Sequence, residues 1–215
     1  NSQPMGFYAP AQLVRDAREH GVEIRPADVN HSNWRCSLEA QATGHDALVV
    51  PFDQREQATL RLGLQLVRGL SRGAAARIEV ARQVTIFKDV QDLVKRAELN
   101  RADLKALAAA DALSELSGHR HLAAWEVAGV EEAVPLGGLD QFAEQLPLLA
   151  PPSAGQAVLA DYAQTGLTLR EHPLALIRAR LRERGFLRAD EIAACAAGDV
   201  IRAAGLVLIR QRPGN

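Results

Sequence analysis

Leu66-Val-Arg-Gly-Leu-Ser-Arg-Gly-Ala-Ala-Ala-Arg-Ile78 sets two glycines, a serine and several arginines between apolar runs of helical spacing. One good breaker suffices to join two helices, so this link reads as one that brings main-chain amides close to something else. Upstream, Leu60, Leu64 and Val67 predict a helix that ends at Gly69-Leu70-Ser71. Downstream, Ser71 is placed to cap a second helix running to about Arg82, its side chain accepting from a first-turn N–H. The pattern then recurs. Asp89 predicts the cap of a third helix holding Val90, Leu93 and Val94, and Asn100 that of a fourth holding Leu104, Leu107 and Ala108. An offset of 29 residues lays Leu64 on Leu93, Leu70 on Leu99, Ser71 on Asn100, Arg72 on Arg101 and Ile78 on Leu107. That register is an internal duplication of a helix-link-helix unit.

The bulk numbers describe ordinary globular material. The chain has 215 residues, 47% hydrophobic, 24% charged and 4% aromatic, with a net charge of -1. Plentiful Ala, Leu and Arg favour helix. Cys36 and Cys195 stand far apart in no metal-like spacing and read as reduced thiols of a cytoplasmic protein. No apolar run approaches the ~18 residues of a membrane span, so no membrane role is expected. The charge is unevenly spread. Residues 61–105 carry 10 basic and 5 acidic side chains, while residues 106–165 carry 1 basic and 8 acidic. The basic block centres on the opening stretch, and a solvated helical face would also account for it.

Around this duplicated core the chain is mixed. Pro10 to His20 reads as a helix with Gly21 as its stop, followed by an extended "VEIRPADVN" and short strands at "WRCSLEA" and "ALVVPF". "ELSGHRHLAAWEVAG" predicts one short helix. The acidic, Pro- and Gly-rich run from Glu131 to Gln156 reads as a surface linker. "AVLADYAQTG" resumes a helix, "EHPLALIRARLRERG" predicts one amphipathic helix, and "DVIRAAGLVLIRQRPGN" a terminal alternating strand. The fold class is therefore mainly α with a few short strands.

A tight link of this kind exposes the first N–H groups of the following helix, which suit a phosphate oxygen. Gly69 allows close approach, Leu70 turns inward, and Arg68, Arg72 and Arg77 add charge around Ser71 and Gly73. That is the logic of the helix-hairpin-helix DNA-binding motif, which contacts the sugar–phosphate backbone and not the bases. The usual pattern has glycine where Ser71 stands. A hairpin that merely packs is the competing reading. In the second copy Asn100, Arg101 and Lys105 are the candidate contacts, although Glu98 replaces the turn glycine and favours a packing role.

Four blocks, "NSQPMGFYAPAQLVRDAREHGVEIRPADVNHSNW", "RLGLQLVRGLSRGAAARI", "TGLTLREHPLALIRARL" and "GLVLIRQRPG", resemble in order the bacterial C-family DNA polymerases, the alpha subunit of DNA polymerase III, and most of all their error-prone branch. The resemblance implies a placement. Residues 1–56 correspond to the end of a fingers domain, a mixed α/β remnant, and residues 57–118 to a tandem helix-hairpin-helix domain. Residues 119–195 correspond to an acidic connector and helices, and residues 196–215 to the first strand of an OB domain. It implies sequence-independent duplex DNA, a sliding clamp and other translesion-synthesis proteins as partners. It also implies that the catalytic palm with its Mg2+ ions lies N-terminal to Asn1. No Asp-x-Asp occurs here, so no catalytic residue, cofactor or metal is expected within this segment, and none of its activity when isolated. "QLPLL" resembles the clamp-binding pentapeptide of this family: Leu148 and Leu149 would enter an apolar pocket, with Gln145 and Leu146 ahead of them. Leucines tacking the linker to the body are the alternative.

Other candidates reduce to packing. "GHRH" at Gly118–His121 lacks metal-site company, Cys36 and Cys195 read as buried, and Trp34 and Trp125 as packing residues. Two further functions stay open: a non-catalytic tandem hairpin module of a repair protein, and a scaffold with no nucleic-acid role.

Overall fold

Ser71, Asp89 and Asn100 each accept a hydrogen bond from the N–H three residues on: Ala74 at 3.1 Å, Asp92 at 2.7 Å and Asp103 at 2.8 Å. These side chains start the three central helices of a computed structural model that describes residues 9–39, 58–130 and 148–207. The chain divides into two compact units, residues 1–169 and 170–215.

The first unit begins with helix α1 (Pro10–Glu19), then strands β1 (Ile24–Arg25), β2 (Ser37–Glu39) and β3 (Thr59–Arg61). β3 lies in the middle, parallel to β1 with Ile24 opposite Leu60, and antiparallel to β2 with Leu38 opposite Leu60. A 3-10 turn at Leu64–Leu66 leads to α2 (Arg72–Arg82), α3 (Val90–Ala97), α4 (Arg101–Ala109), α5 (Ser114–Ser117), α6 (Arg120–Gly129) and α7 (Ala154–Thr165). One apolar core underlies most of them: Leu64, Ile78, Leu93, Leu107 and Leu113 are fully enclosed, as is nearly all of Phe87. The second unit holds α8 (Pro173–Leu176), α9 (Arg178–Glu183), β4 (Phe186–Leu187), α10 (Ala189–Ala193) and β5 (Arg202–Ala203), with β5 parallel to β4. The described helices include none long and apolar enough to cross a membrane.

Several expectations change. The helix expected around Leu60 and Leu64 is a strand plus one 3-10 turn, because residues 59–61 pair with two strands on either side. Gly63 seals that change. A Cβ there would lie 2.5 Å from the Arg35 carbonyl carbon and the Trp34 oxygen, so the chain passes backbone against backbone. The helix expected over residues 171–185 is interrupted at Ile177, whose φ of -114° and ψ of 8° separate α8 from α9. "ELSGHRHLAAWEVAG" makes two helices, parted at Gly118 with φ +83°. Of the expected terminal strand only Arg202–Ala203 is strand among the described residues. Cys36 is exposed, just ahead of β2, and its sulfur accepts from the Gly63 N–H at 3.2 Å; Cys195 is half-buried. "ALVVPF" lies outside the described residues.

Candidate nucleic-acid interface

The duplication read from the sequence has a structural counterpart at each paired position. Leu70 and Leu99 are both 7% exposed, and Ile78 and Leu107 are both fully buried. Ser71 and Asn100 are both helix caps. Gly69 and Glu98 both adopt the left-handed conformation, at φ +88° and +48°. Glu98 therefore performs the turn that a glycine performs in the first copy, at a steric cost that Gly69 does not carry.

The two turns are held side by side by a reciprocal pair of hydrogen bonds. The Ser71 N–H, in the first turn, donates to the Asp103 carboxylate of α4 at 3.1 Å. The Arg77 Nε–H of α2 donates to the Ala97 carbonyl, at the end of α3, at 2.9 Å. Asp103 is 2% exposed, and its second carboxylate oxygen has no hydrogen-bond partner among the described residues. The Arg68 N–H donates to the Gln164 carbonyl of α7 at 2.8 Å, which fixes the approach to the turn. Sequence reasoning did not single out Asp103. Its only local signal is its place three residues after the cap Asn100, where an acid complements the helix dipole.

What remains unspent outlines the candidate interface. Among the described residues, the main-chain N–H groups of Gly69, Arg72 and Gly73 have no acceptor, nor do those of Arg101 and Ala102 at the start of α4. Gly69, Ser71, Arg72 and Gly73 are exposed and Leu70 is buried, as the inward-turning role requires. Arg68, Arg72, Arg101 and Lys105 are exposed, and among the described residues none of them forms an ion pair.

Much of the basic block, by contrast, is internal mortar. Arg61 pairs with Glu39 at 2.8 Å while 7% exposed. Arg82 donates to the Val29 and Ser32 carbonyls at 2.8 and 2.9 Å; burial lowers its guanidinium below the ordinary arginine range. Arg96 caps the Ala81 and Thr85 carbonyls, pairs with Asp92 at 2.9 Å and lies over the Phe87 ring at 4.7 Å. Arg77 is divided between exposure and its bond to Ala97.

Of the clamp-type pentapeptide, Leu148 is fully exposed and Leu149 is 38% exposed, while Gln145 and Leu146 lie outside the described residues. Just beyond it, the Ala150 carbonyl accepts from the His121 Nδ1 at 3.0 Å.

Residues 21–123 match the family model of a helix-hairpin-helix motif. Curated relatives that match the chain carry the name error-prone DNA polymerase, among them the following three. That of Methylococcus capsulatus is 51% identical over 99% of this chain and 21% of its own length. That of Alkalilimnicola ehrlichii is 50% identical over 100% of this chain and 20% of its own. That of Pseudomonas aeruginosa is 46% identical over 99% of this chain and 20% of its own. The chain spans about a fifth of the length of the relatives it matches. It is thus, along essentially its whole length, a homologue of one segment of the error-prone DNA polymerases, with a helix-hairpin-helix motif in residues 21–123.

Proposed function

We propose that this chain holds duplex DNA by its sugar–phosphate backbone, as the DNA-gripping part of an error-prone DNA polymerase. The observation that carries the reading is the first hairpin. Its turn is locked from behind by Asp103 and Gln164, yet it leaves the Arg72 and Gly73 amides open beside unpaired Arg68 and Arg72. Fixed donors at a helix start bind a phosphate oxygen without regard to the base attached to it. Arg101 and Lys105 extend the same face through the second hairpin. Nucleotidyl transfer belongs to the parent polypeptide, and residues 1–215 alone are expected to extend no primer.

Fluorescence anisotropy on short duplexes of unrelated sequence tests the grip. Comparable affinities for all sequences are expected, together with a uniform loss in Arg72→Glu. Lys88→Glu, placed ahead of α3 and away from both turns, should cost little. Strong preference for one sequence, or equal loss in both variants, contradicts the reading.

The full exposure of Leu148 favours a second contact, docking of "QLPLL" to a sliding clamp. A clamp pull-down should be lost when Gln145 and Leu148 become Ala; retained capture places the contact elsewhere.

A further inference from the structure

Away from the hairpins, an open cavity of about 510 Å3 is lined by residues of all three strands of the first sheet, by the turn after β1 and by α5. Asp28, His31 and Glu115 meet there. Each offers one ligand atom, and those atoms lie within 4.8 Å of one another. The His31 Nε2 stands 2.9 Å from the Glu115 carboxylate. Asp28 is 5% exposed and accepts from the Asn30 N–H at 2.7 Å. The Glu115 carboxylate, another acceptor, lines the same cavity. Two carboxylates whose oxygens lie within 4.8 Å of one another favour something positive between them: a shared proton, the His31 imidazolium or a cation.

The neighbouring guanidiniums are engaged with other carboxylates. Arg25 pairs with Glu23 at 2.8 Å, and Arg61 with Glu39 at 2.8 Å. The scaffold beneath the trio is tightly held. The Val29 N–H donates to the Ala112 carbonyl, and Asn30 exchanges two hydrogen bonds with the Phe87 main chain. Ser32 bonds the Leu62 carbonyl at 2.7 Å. His31 and Glu115 keep side-chain freedom, at 44% and 49% exposure, to draw in by the fraction of an ångström that coordination needs. Ligand atoms about 2.0–2.2 Å from a tetrahedral ion are roughly 3.4 Å apart.

We infer that Asp28, His31 and Glu115 form a binding site for one divalent transition-metal ion, Zn2+ or Mn2+, which staples the turn after β1 to α5. One imidazole nitrogen and two carboxylate oxygens suit such ions and leave a coordination position open toward the cavity.

The test uses the 215-residue chain with Cys36→Ser and Cys195→Ser, so that thiols cannot take the ion, after chelator treatment and dialysis. Calorimetric titration with Zn2+ and with Mn2+, and Co2+ absorption, should show one equivalent bound. His31→Gln and Glu115→Gln should each weaken binding at least about tenfold, with the fold checked by circular dichroism. His121→Gln should leave it unchanged. Absence of saturable one-equivalent binding for all three ions overturns the site and leaves the shared proton or the His31 imidazolium. Binding that survives both ligand variants, or that falls with His121→Gln, overturns it as well.

Discussion

Gly63 shows how a single residue fixes a local path. An added methyl would meet the Arg35 carbonyl carbon at 2.5 Å and the Cys36 nitrogen at 2.6 Å, both main-chain atoms that cannot turn aside. Gly63→Ala should therefore cost about 3 kcal/mol of overpacking, read as a lower denaturant midpoint at unchanged slope; an unchanged midpoint contradicts the close approach. Asp28 governs a pH window. Its folded carboxyl is raised by burial from 3.8 to about 6, so its favourable contribution is complete below pH 3.8 and is lost as pH rises through 6. Glu115 has the opposite sign. Burial opposes its shift, but the His31 hydrogen bond and charge outweigh it and hold it below 4.5, so its contribution fades as pH falls below that value. The other charged groups around the same cavity are His31, Arg25, Arg61 and Glu39. In metal-free buffer, Asp28→Asn keeps an acceptor for the Asn30 N–H and should flatten the fall in melting temperature between pH 4 and 7. A profile parallel to that of the unsubstituted chain contradicts the assignment.

At the scale of helices and turns, the legible features were those whose chemistry is local. Ser71, Asp89 and Asn100 announce caps because their partners lie three residues away, and Gly69 announces a left-handed turn because little else adopts one cheaply. Features decided by distant segments were not legible. Residues 59–61 have helical spacing with Leu64, but two strands far away in sequence claim them. Arg82 and Arg96 look like part of a basic face, while their acceptors, the Val29, Ser32, Ala81 and Thr85 carbonyls, appear only when the chain folds. Asp28, His31 and Glu115 share no spacing that would have paired them. Glu98 is the position where the second hairpin departs from the first, and it gives a direct test of their equivalence. Glu98→Gly removes a Cβ from a left-handed turn and should stabilise the chain by about 0.5–1 kcal/mol, measured by chemical denaturation. A destabilisation instead would mean that the Glu98 side chain contributes something the turn needs.

At the scale of the whole chain, the sequence blocks identified a family resemblance that the relatives confirm over almost every residue, and the duplicated hairpins were visible as a register of 29 positions. The sum of charges was uninformative at -1, because the useful quantity is which basic groups remain unpaired after folding. Four of them, Arg68, Arg72, Arg101 and Lys105, cluster about the two turns with open amides. A backbone grip built from such groups displaces counterions, so log K falls linearly with log salt at about 0.9 per phosphate contacted. The decisive measurement is that slope for duplex binding by this chain and by Arg72→Glu. Loss of about one unit of slope, equal on duplexes of unrelated sequence, is the result expected of a phosphate-holding hairpin. A slope near zero in the unsubstituted chain, or one that Arg72→Glu leaves unchanged, would mean that the turn at Gly69 holds no DNA.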